Sequence, residues 1–95
     1  MNDMRFATLR KAMVDSQIRP NKVIDDQVIE AFSTVPRELF VNRQMQELAY
    51  IDEDLHLSGG RFITEAMVMA RMVQALKLTP SDDVMCIGAG NGYGA

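Results

Sequence analysis

The last dozen residues constrain the fold most strongly. Val84–Ile87 is a run of four apolar residues, and glycines follow at positions 88, 90, 92 and 94. An apolar run without alternation is typical of a buried parallel strand, and alternating glycines let the backbone approach a ligand closely. Such a strand needs neighbouring strands that the other residues do not obviously supply. We therefore expect this chain to be the front part of a longer protein.

Composition limits the class of protein. The 95 residues are 47% hydrophobic and 24% charged, as in ordinary soluble domains, and the net charge of -3 gives no basic surface for nucleic acid. No apolar run approaches the roughly 20 residues that span a bilayer, and the N-terminus lacks a continuous apolar segment. We predict a cytoplasmic protein with neither nucleic acid nor membrane as a partner. With one cysteine, Cys86, and one histidine, His56, we expect no disulfide framework and no metal site.

The first half predicts short helices. A first amphipathic helix is predicted by four apolar residues at near-helical spacing, with Arg10 and Lys11 turned outward. These apolar residues are Phe6, Leu9, Met13 and Ile18. Pro20 should break this helix within residues 18–21, and Asp25 or Asp26 should cap the next. The apolar stripe of the second helix would be Val28, Ile29 and Phe32.

Two shorter helical turns should follow. Pro36 suits the first position of a turn whose buried side would be Leu39, Phe40 and Val41. We expect Arg37 and Glu38 to pair locally. A fourth short helix would contain Met45, Leu48 and Ala49.

The second half predicts a site. Residues 50–60 have no periodicity and should form an irregular wall, with His56 on it and with solvated acids at 52–54. Thr64 stands where an N-cap belongs, before a helix reaching Lys77 whose methionines fill the core. The predicted order of elements is a helix, a polar turn, a buried strand and a glycine loop. An α/β doubly wound domain begins with this order. We predict a helical region with the irregular segment over 1–60 and the start of this doubly wound domain over 61–95.

Five blocks of sequence resemble one family. They are Val35–Val41, Ala49–Tyr50, Gly60–Glu65, Met69–Met72 and Val84–Tyr93. In order and spacing they are similar to the protein-L-isoaspartate O-methyltransferase family. The resemblance implies a helical region before a Rossmann-like class I domain that binds S-adenosylmethionine. It also implies methyl transfer to the carboxylate of isoaspartyl residues in damaged proteins or peptides, a repair reaction. Because the match covers only the front of that fold, we expect the 95 residues alone to be inactive.

The glycine spacing agrees with that cofactor. A dinucleotide fingerprint would place its third glycine at Tyr93, and no Lys followed by Ser or Thr forms a P-loop. What remains suits a cofactor without phosphate, such as S-adenosylmethionine. The alternative is a glycine turn that only packs a helix onto a strand. The implied cofactor-binding residues are Phe62, Ile63, Thr64, Met67, Gly88, Ala89, Gly90, Asn91, Gly92 and Tyr93.

Thr64 is the implied catalytic residue. It stands where the family has a serine whose hydroxyl helps hold the reacting carboxylate, and methyl transfer mainly needs such positioning. The alternative is that Thr64 only caps the helix beginning at Glu65. Arg61 is a further candidate for a substrate carboxylate.

Two positions depart from the family pattern. Ala66 replaces a common proline, and Cys86 replaces an acidic residue, for which a thiol is a poor acceptor. We expect weaker cofactor affinity, although Cys86 could simply be a small buried hydrophobe in a central strand. Other possibilities are a cofactor-binding relative with another carboxylate substrate or lost activity, and a non-catalytic helical interaction module.

Overall fold

The computed structural model describes residues 3–57, 60–87 and 92–95. Helix α1, Asp3–Met13, continues through a π-helical turn, Val14–Ile18, and a 3-10 turn, Arg19–Asn21. The helical course ends after Asn21, at the end of the predicted break region 18–21, although Arg19, directly before Pro20, keeps helical dihedral angles. Pro20 lies in the first turn of the 3-10 segment. The chain leaves the helix at Lys22, whose φ is 70°.

Helix α2, Asp26–Thr34, begins at the predicted cap. The carboxylate of Asp25 accepts hydrogen bonds from the backbone N–H groups of Gln27 at 2.9 Å and Val28 at 3.3 Å. These bonds satisfy two of the N–H groups that a helix start leaves without partners. The predicted apolar stripe is confirmed, because its members are buried: Val28, Ile29 and Phe32.

Two 3-10 helices follow, Arg37–Phe40 and Arg43–Leu48. Their existence was predicted. Of the predicted buried side of the first, Phe40 and Val41 pack against the core, whereas Leu39 is exposed. The buried residues of that turn are Arg37 and Glu38, which were not predicted to be buried. Pro36 is the N-cap rather than the first helical residue.

A small hairpin occupies part of the segment expected to be irregular. Strand β1, Leu55–His56, pairs antiparallel with β2, Phe62–Ile63. Leu55 lies opposite Ile63, and both are buried on the same face. Two-residue strands give too short an alternation to stand out in the sequence.

Helix α3, Ala66–Ala75, packs against α2 and against the π-helical turn after α1. One hydrophobic core joins α1, the π-helical turn, α2 and α3 and includes Tyr93. Its buried members are Phe6, Met13, Val14, Ile18, Val23, Val28, Ile29, Phe32, Ala49, Tyr50, Ala66, Ala70 and Tyr93. The periodic residues of the first helix are thus core residues, as predicted. No helix in the described ranges is both long and apolar enough to cross a membrane.

Residues 84–87 do not form the predicted strand. Val84, Met85 and Ile87 are largely exposed, and so is Cys86, so a buried central strand is wrong for this chain. A strand is held by hydrogen bonds to a neighbour. In the described ranges β1 and β2 pair only with each other and offer residues 84–87 no ladder. The architecture observed is helical with one two-stranded sheet.

Candidate functional site

An open cleft of about 920 Å³ lies between α2, the hairpin, α3 and the segments at 84–86 and 93–95. Its lining is mainly apolar. From the predicted site it contains Phe62, Ile63, Thr64 and Tyr93. The cleft therefore brings the end of β2 next to a residue of the glycine-rich segment.

The other predicted cofactor residues do not line this cleft in the described structure. Met67 is half-buried in α3, and Gly92 has φ of 91°, a conformation that favours glycine. A Cβ on Gly92 would lie 3.9 Å from Cε2 of Phe40. The predictions for Gly88, Ala89, Gly90 and Asn91 lie outside the described residues.

Arg61 and Cys86, which were singled out for the substrate and for cofactor affinity, also line the cleft. Lining residues that were not predicted as part of the site include Leu57, Met69 and Met72. Met72 is 57% exposed, so its prediction as core filling is wrong, whereas Met69 packs against the core. The helical spacing could not separate these two methionines, because α3 has apolar residues on both its core side and its cleft side.

Thr64 does not cap α3. The N-cap is Glu65, which makes no side-chain capping bond, and the helix begins at Ala66. The N–H of Glu65 instead donates to the carboxylate of Asp54 at 2.7 Å. Within the described residues the Thr64 hydroxyl has no hydrogen-bonding partner, while its carbonyl oxygen accepts from Nη2 of Arg37 at 3.1 Å. The hydroxyl is therefore left available to the cleft.

Arg37 is the largest fully buried side chain of the described residues, with 0% of its surface exposed. Its Nε donates to the carbonyl of Ala49, and its guanidinium carbon lies 4.7 Å from the centre of the Tyr93 ring. Its backbone N–H donates to the hydroxyl of Tyr50 at 3.0 Å. Within the described residues it forms no ion pair, so carbonyl dipoles and an aromatic face compensate its charge. The predicted local pairing of Arg37 with Glu38 is wrong.

Glu38 pairs instead with Arg10, at 3.3 Å between Oε2 and Nη2. The hydroxyl of Tyr50 donates to Glu38 and accepts from Nε of Arg10 at 2.9 Å. Arg10 is thus turned inward, contrary to the prediction, because its long side chain reaches a buried carboxylate from the surface of α1. These three residues tie α1 to the turn that carries Arg37.

The surroundings of Glu38, Tyr50 and Tyr93 set the protonation states of these three side chains. Burial, together with the hydrogen bond to Glu38, raises the pKa of Tyr50 to about 12 against the opposing effect of Arg10. Burial also pushes the pKa of Glu38 up, but hydrogen bonds from Tyr50, a backbone amide and Arg10 outweigh it and lower the pKa. Burial raises the pKa of Tyr93, with Arg37 opposing. At neutral pH the cluster therefore contains a carboxylate and two neutral phenols.

Comparison with known proteins identifies the class of protein. The family model for protein-L-isoaspartate(D-aspartate) O-methyltransferase matches residues 8–95. That model describes a family of methyltransferases. The chain belongs to the protein-L-isoaspartate(D-aspartate) O-methyltransferase family, as its five sequence blocks predicted.

Curated relatives agree. A protein-L-isoaspartate O-methyltransferase of Herpetosiphon aurantiacus is 42% identical over 86 residues, covering 90% of this chain and 38% of that protein. One from Koribacter versatilis is 38% identical over 90 residues, with 95% and 40% covered. One from Roseiflexus sp. is 39% identical over 92 residues, with 97% and 42% covered. The chain thus spans about two fifths of the length of these curated relatives.

We predict that Glu38→Gln destabilises the chain in a pH-dependent way. Loss of the charged acceptor should lower the free energy of unfolding at pH 7 by about 1–3 kcal/mol. The pKa of Glu38 is lowered from its ordinary value of 4.5 by folding, so its stabilisation is complete above that pH and is lost as pH falls through the lowered value. The gap between wild type and variant should therefore close in acid.

Denaturant unfolding followed by circular dichroism between pH 7 and about 3 measures this gap. Glu30→Gln, at an exposed position of α2, is the matched control and should show little difference at any pH. A gap for Glu38→Gln that stays constant down to the acid limit would contradict the assignment.

Proposed function

We propose that the full-length protein carrying this chain is an S-adenosylmethionine-dependent protein carboxyl O-methyltransferase that acts on isoaspartyl residues. The observation that supports it best is the cleft, which holds Phe62, Ile63 and Thr64 beside Tyr93. Membership of the family adds the reaction class, since the matched relatives carry that activity in their names. A Rossmann-like class I domain starting at residue 61 is part of the same proposal.

The residues present fit the proposed cofactor. A volume of about 920 Å³ is in the range of small-molecule pockets, and a mainly apolar lining suits an adenosine and a thioether chain. Tyr93 is held in place by edge-to-face packing, with ring centres 6.0 Å from Phe32 and 5.5 Å from Phe40. We assign cofactor contacts to Phe62, Ile63, Thr64 and Tyr93. Met67 and residues 88–92 remain predicted contacts.

The proposed reaction needs positioning rather than acid-base catalysis. The cofactor would supply an activated methyl group, and a carboxylate is already a nucleophile at neutral pH. The Thr64 hydroxyl can donate a hydrogen bond to that carboxylate, because nothing in the described structure engages it. Arg61, exposed on the cleft wall, is a second candidate donor.

A second candidate function rests on the departures Thr64, Ala66 and Cys86. With these replacements the protein would bind S-adenosylmethionine but methylate a different carboxylate, or none. Calorimetry with S-adenosylhomocysteine separates the two cases. Binding without isoaspartyl-dependent methylation supports this second function.

Methyl transfer from labelled S-adenosylmethionine tests the main proposal. The full-length protein should label a peptide containing isoaspartate and leave its aspartyl twin unlabelled. The 95-residue chain alone should label neither, because its part of the fold is expected to lack the acid that holds the cofactor ribose. Equal labelling of both peptides by the full-length protein would refute the proposed substrate.

Thr64→Val should separate the hydroxyl from the shape of the side chain. Loss of one hydrogen bond to a charged group is expected to lower kcat/KM for the isoaspartyl peptide by about 10- to 100-fold. Thr64→Ser should retain activity within a few fold. Thr34→Val, which removes an exposed hydroxyl on α2 that does not line the cleft, is the control. Full activity in Thr64→Val would remove this residue from the mechanism.

Cys86→Glu should tighten S-adenosylmethionine binding. Cys86 lies on the cleft wall, and a carboxylate there would accept hydrogen bonds from amine or hydroxyl groups that a thiol accepts poorly. One added charged hydrogen bond corresponds to an increase in affinity of about tenfold or more. Calorimetry on the full-length protein measures it, with Cys86→Gln as the uncharged control. If the glutamate binds no more tightly than the glutamine, the expected weak affinity has another origin.

A further inference from the structure

One buried side chain joins two walls of the cleft without lining it. Arg37 donates through Nη2 to the carbonyl of Thr64 at 3.1 Å, and its guanidinium lies 4.7 Å from the centre of the Tyr93 ring. Thr64 and Tyr93 face the cleft from separate segments of the chain. Arg37 itself is fully buried behind them.

We infer that Arg37 is a positioning residue that fixes Thr64 and Tyr93 relative to each other, and so sets the distance between the carboxylate-holding and cofactor-holding sides of the cleft. This inference rests on the proposed function for the meaning of those two sides. The contacts through which Arg37 joins Thr64 and Tyr93 are present in the unliganded protein.

The guanidinium is suited to this task because it is a rigid plane. Nε and Nη2 lie on one edge and reach two carbonyls, those of Ala49 and Thr64, while the guanidinium carbon lies 4.7 Å from the centre of the Tyr93 ring. One planar group therefore sets three positions at once. A lysine at this position would keep the charge but could not hold both carbonyls and the ring in a fixed geometry.

The residues around Arg37 do not compete with these contacts. The nearby carboxylate, Glu38, is taken by Arg10 and Tyr50, so no acid in the described structure draws the guanidinium away. On its other side Tyr93 is packed against Phe32 and Phe40. Movement of Thr64 away from Tyr93 would strip a buried cation of a hydrogen bond, which is costly.

Arg10 provides a matched comparison. It is an arginine of the same cluster, only 15% exposed in its side chain, and it bonds Glu38 and Tyr50. In the described structure it makes no hydrogen bond to Thr64 and no ring contact with Tyr93. Arg10→Lys should therefore disturb the cluster as a structure and leave the two cleft walls in place.

Hydrogen exchange read by mass spectrometry on the unliganded full-length protein is the first test. In Arg37→Lys, peptides covering residues 62–66 and 92–95 should exchange about tenfold faster, as expected for the loss of a charged hydrogen bond. In Arg10→Lys, the same peptides should change less than about twofold. A uniform rise over the whole chain in Arg37→Lys would show a general stabilising role and overturn the inference.

Tyr93→Leu is a second variant that leaves Arg37 intact. Coupling is reciprocal, so removal of the ring should also raise exchange at residues 62–66 if Arg37 links the two walls. Unchanged exchange at 62–66 in this variant would overturn the link even if Arg37→Lys fails to fold.

Binding of S-adenosylhomocysteine completes the test. Arg37→Lys should weaken it about tenfold, and Arg10→Lys less than twofold. If the wild-type protein binds the cofactor product but does not methylate isoaspartate, the proposed substrate fails while the positioning role stands. Equal weakening in the two arginine variants would reject a specific role for Arg37.

Discussion

The arrangement of this chain depends on a buried cation without a carboxylate partner in the described structure. Burial of a guanidinium with 0% exposure is costly unless acceptors and a polarisable surface compensate its charge. Nε and Nη2 of Arg37 donate to the carbonyls of Ala49 and Thr64, and its guanidinium carbon lies 4.7 Å from the centre of the Tyr93 ring, while the buried Nη1 has no hydrogen-bonding partner in the described structure. Segments far apart in sequence are therefore held at one point directly behind the cleft. The contacts that compensate the charge of Arg37 therefore also hold the two cleft walls in position.

Much of the helical framework could be predicted, because its signals are local. The spacing of Phe6 and Met13 and the carboxylate of Asp25 lead directly to a buried helix face and an N-cap. The strand at residues 84–87 could not be judged in the same way. Its apolar sequence describes an environment, a sheet covered on both faces, and the described part of this chain offers no partner strand. A local apolar pattern predicts a strand only where neighbouring strands are present to pair with it.

Part of the lining of the cleft could be predicted from the sequence, but the buried residues behind that lining could not. Glycine spacing and sequence blocks led to Phe62, Thr64 and Tyr93, which the cleft brings together. The burial of Arg37 had no sequence signal, since arginine is mostly exposed and its neighbour Glu38 suggested a local pair. That pair does not form because Arg10, turned inward from α1, takes the carboxylate. Exchange of partners across distant segments is a tertiary effect that spacing along the chain cannot reveal.

A crystal structure of the full-length protein with bound S-adenosylhomocysteine tests the central claim most directly. The ligand should lie in the cleft, in contact with residues 62–64 and Tyr93. Arg37 should remain buried behind them, with its bond to the Thr64 carbonyl and its contact with the Tyr93 ring intact. A ligand bound away from these residues would contradict the assignment of the cleft, and a guanidinium that leaves Thr64 or Tyr93 would contradict the role of Arg37.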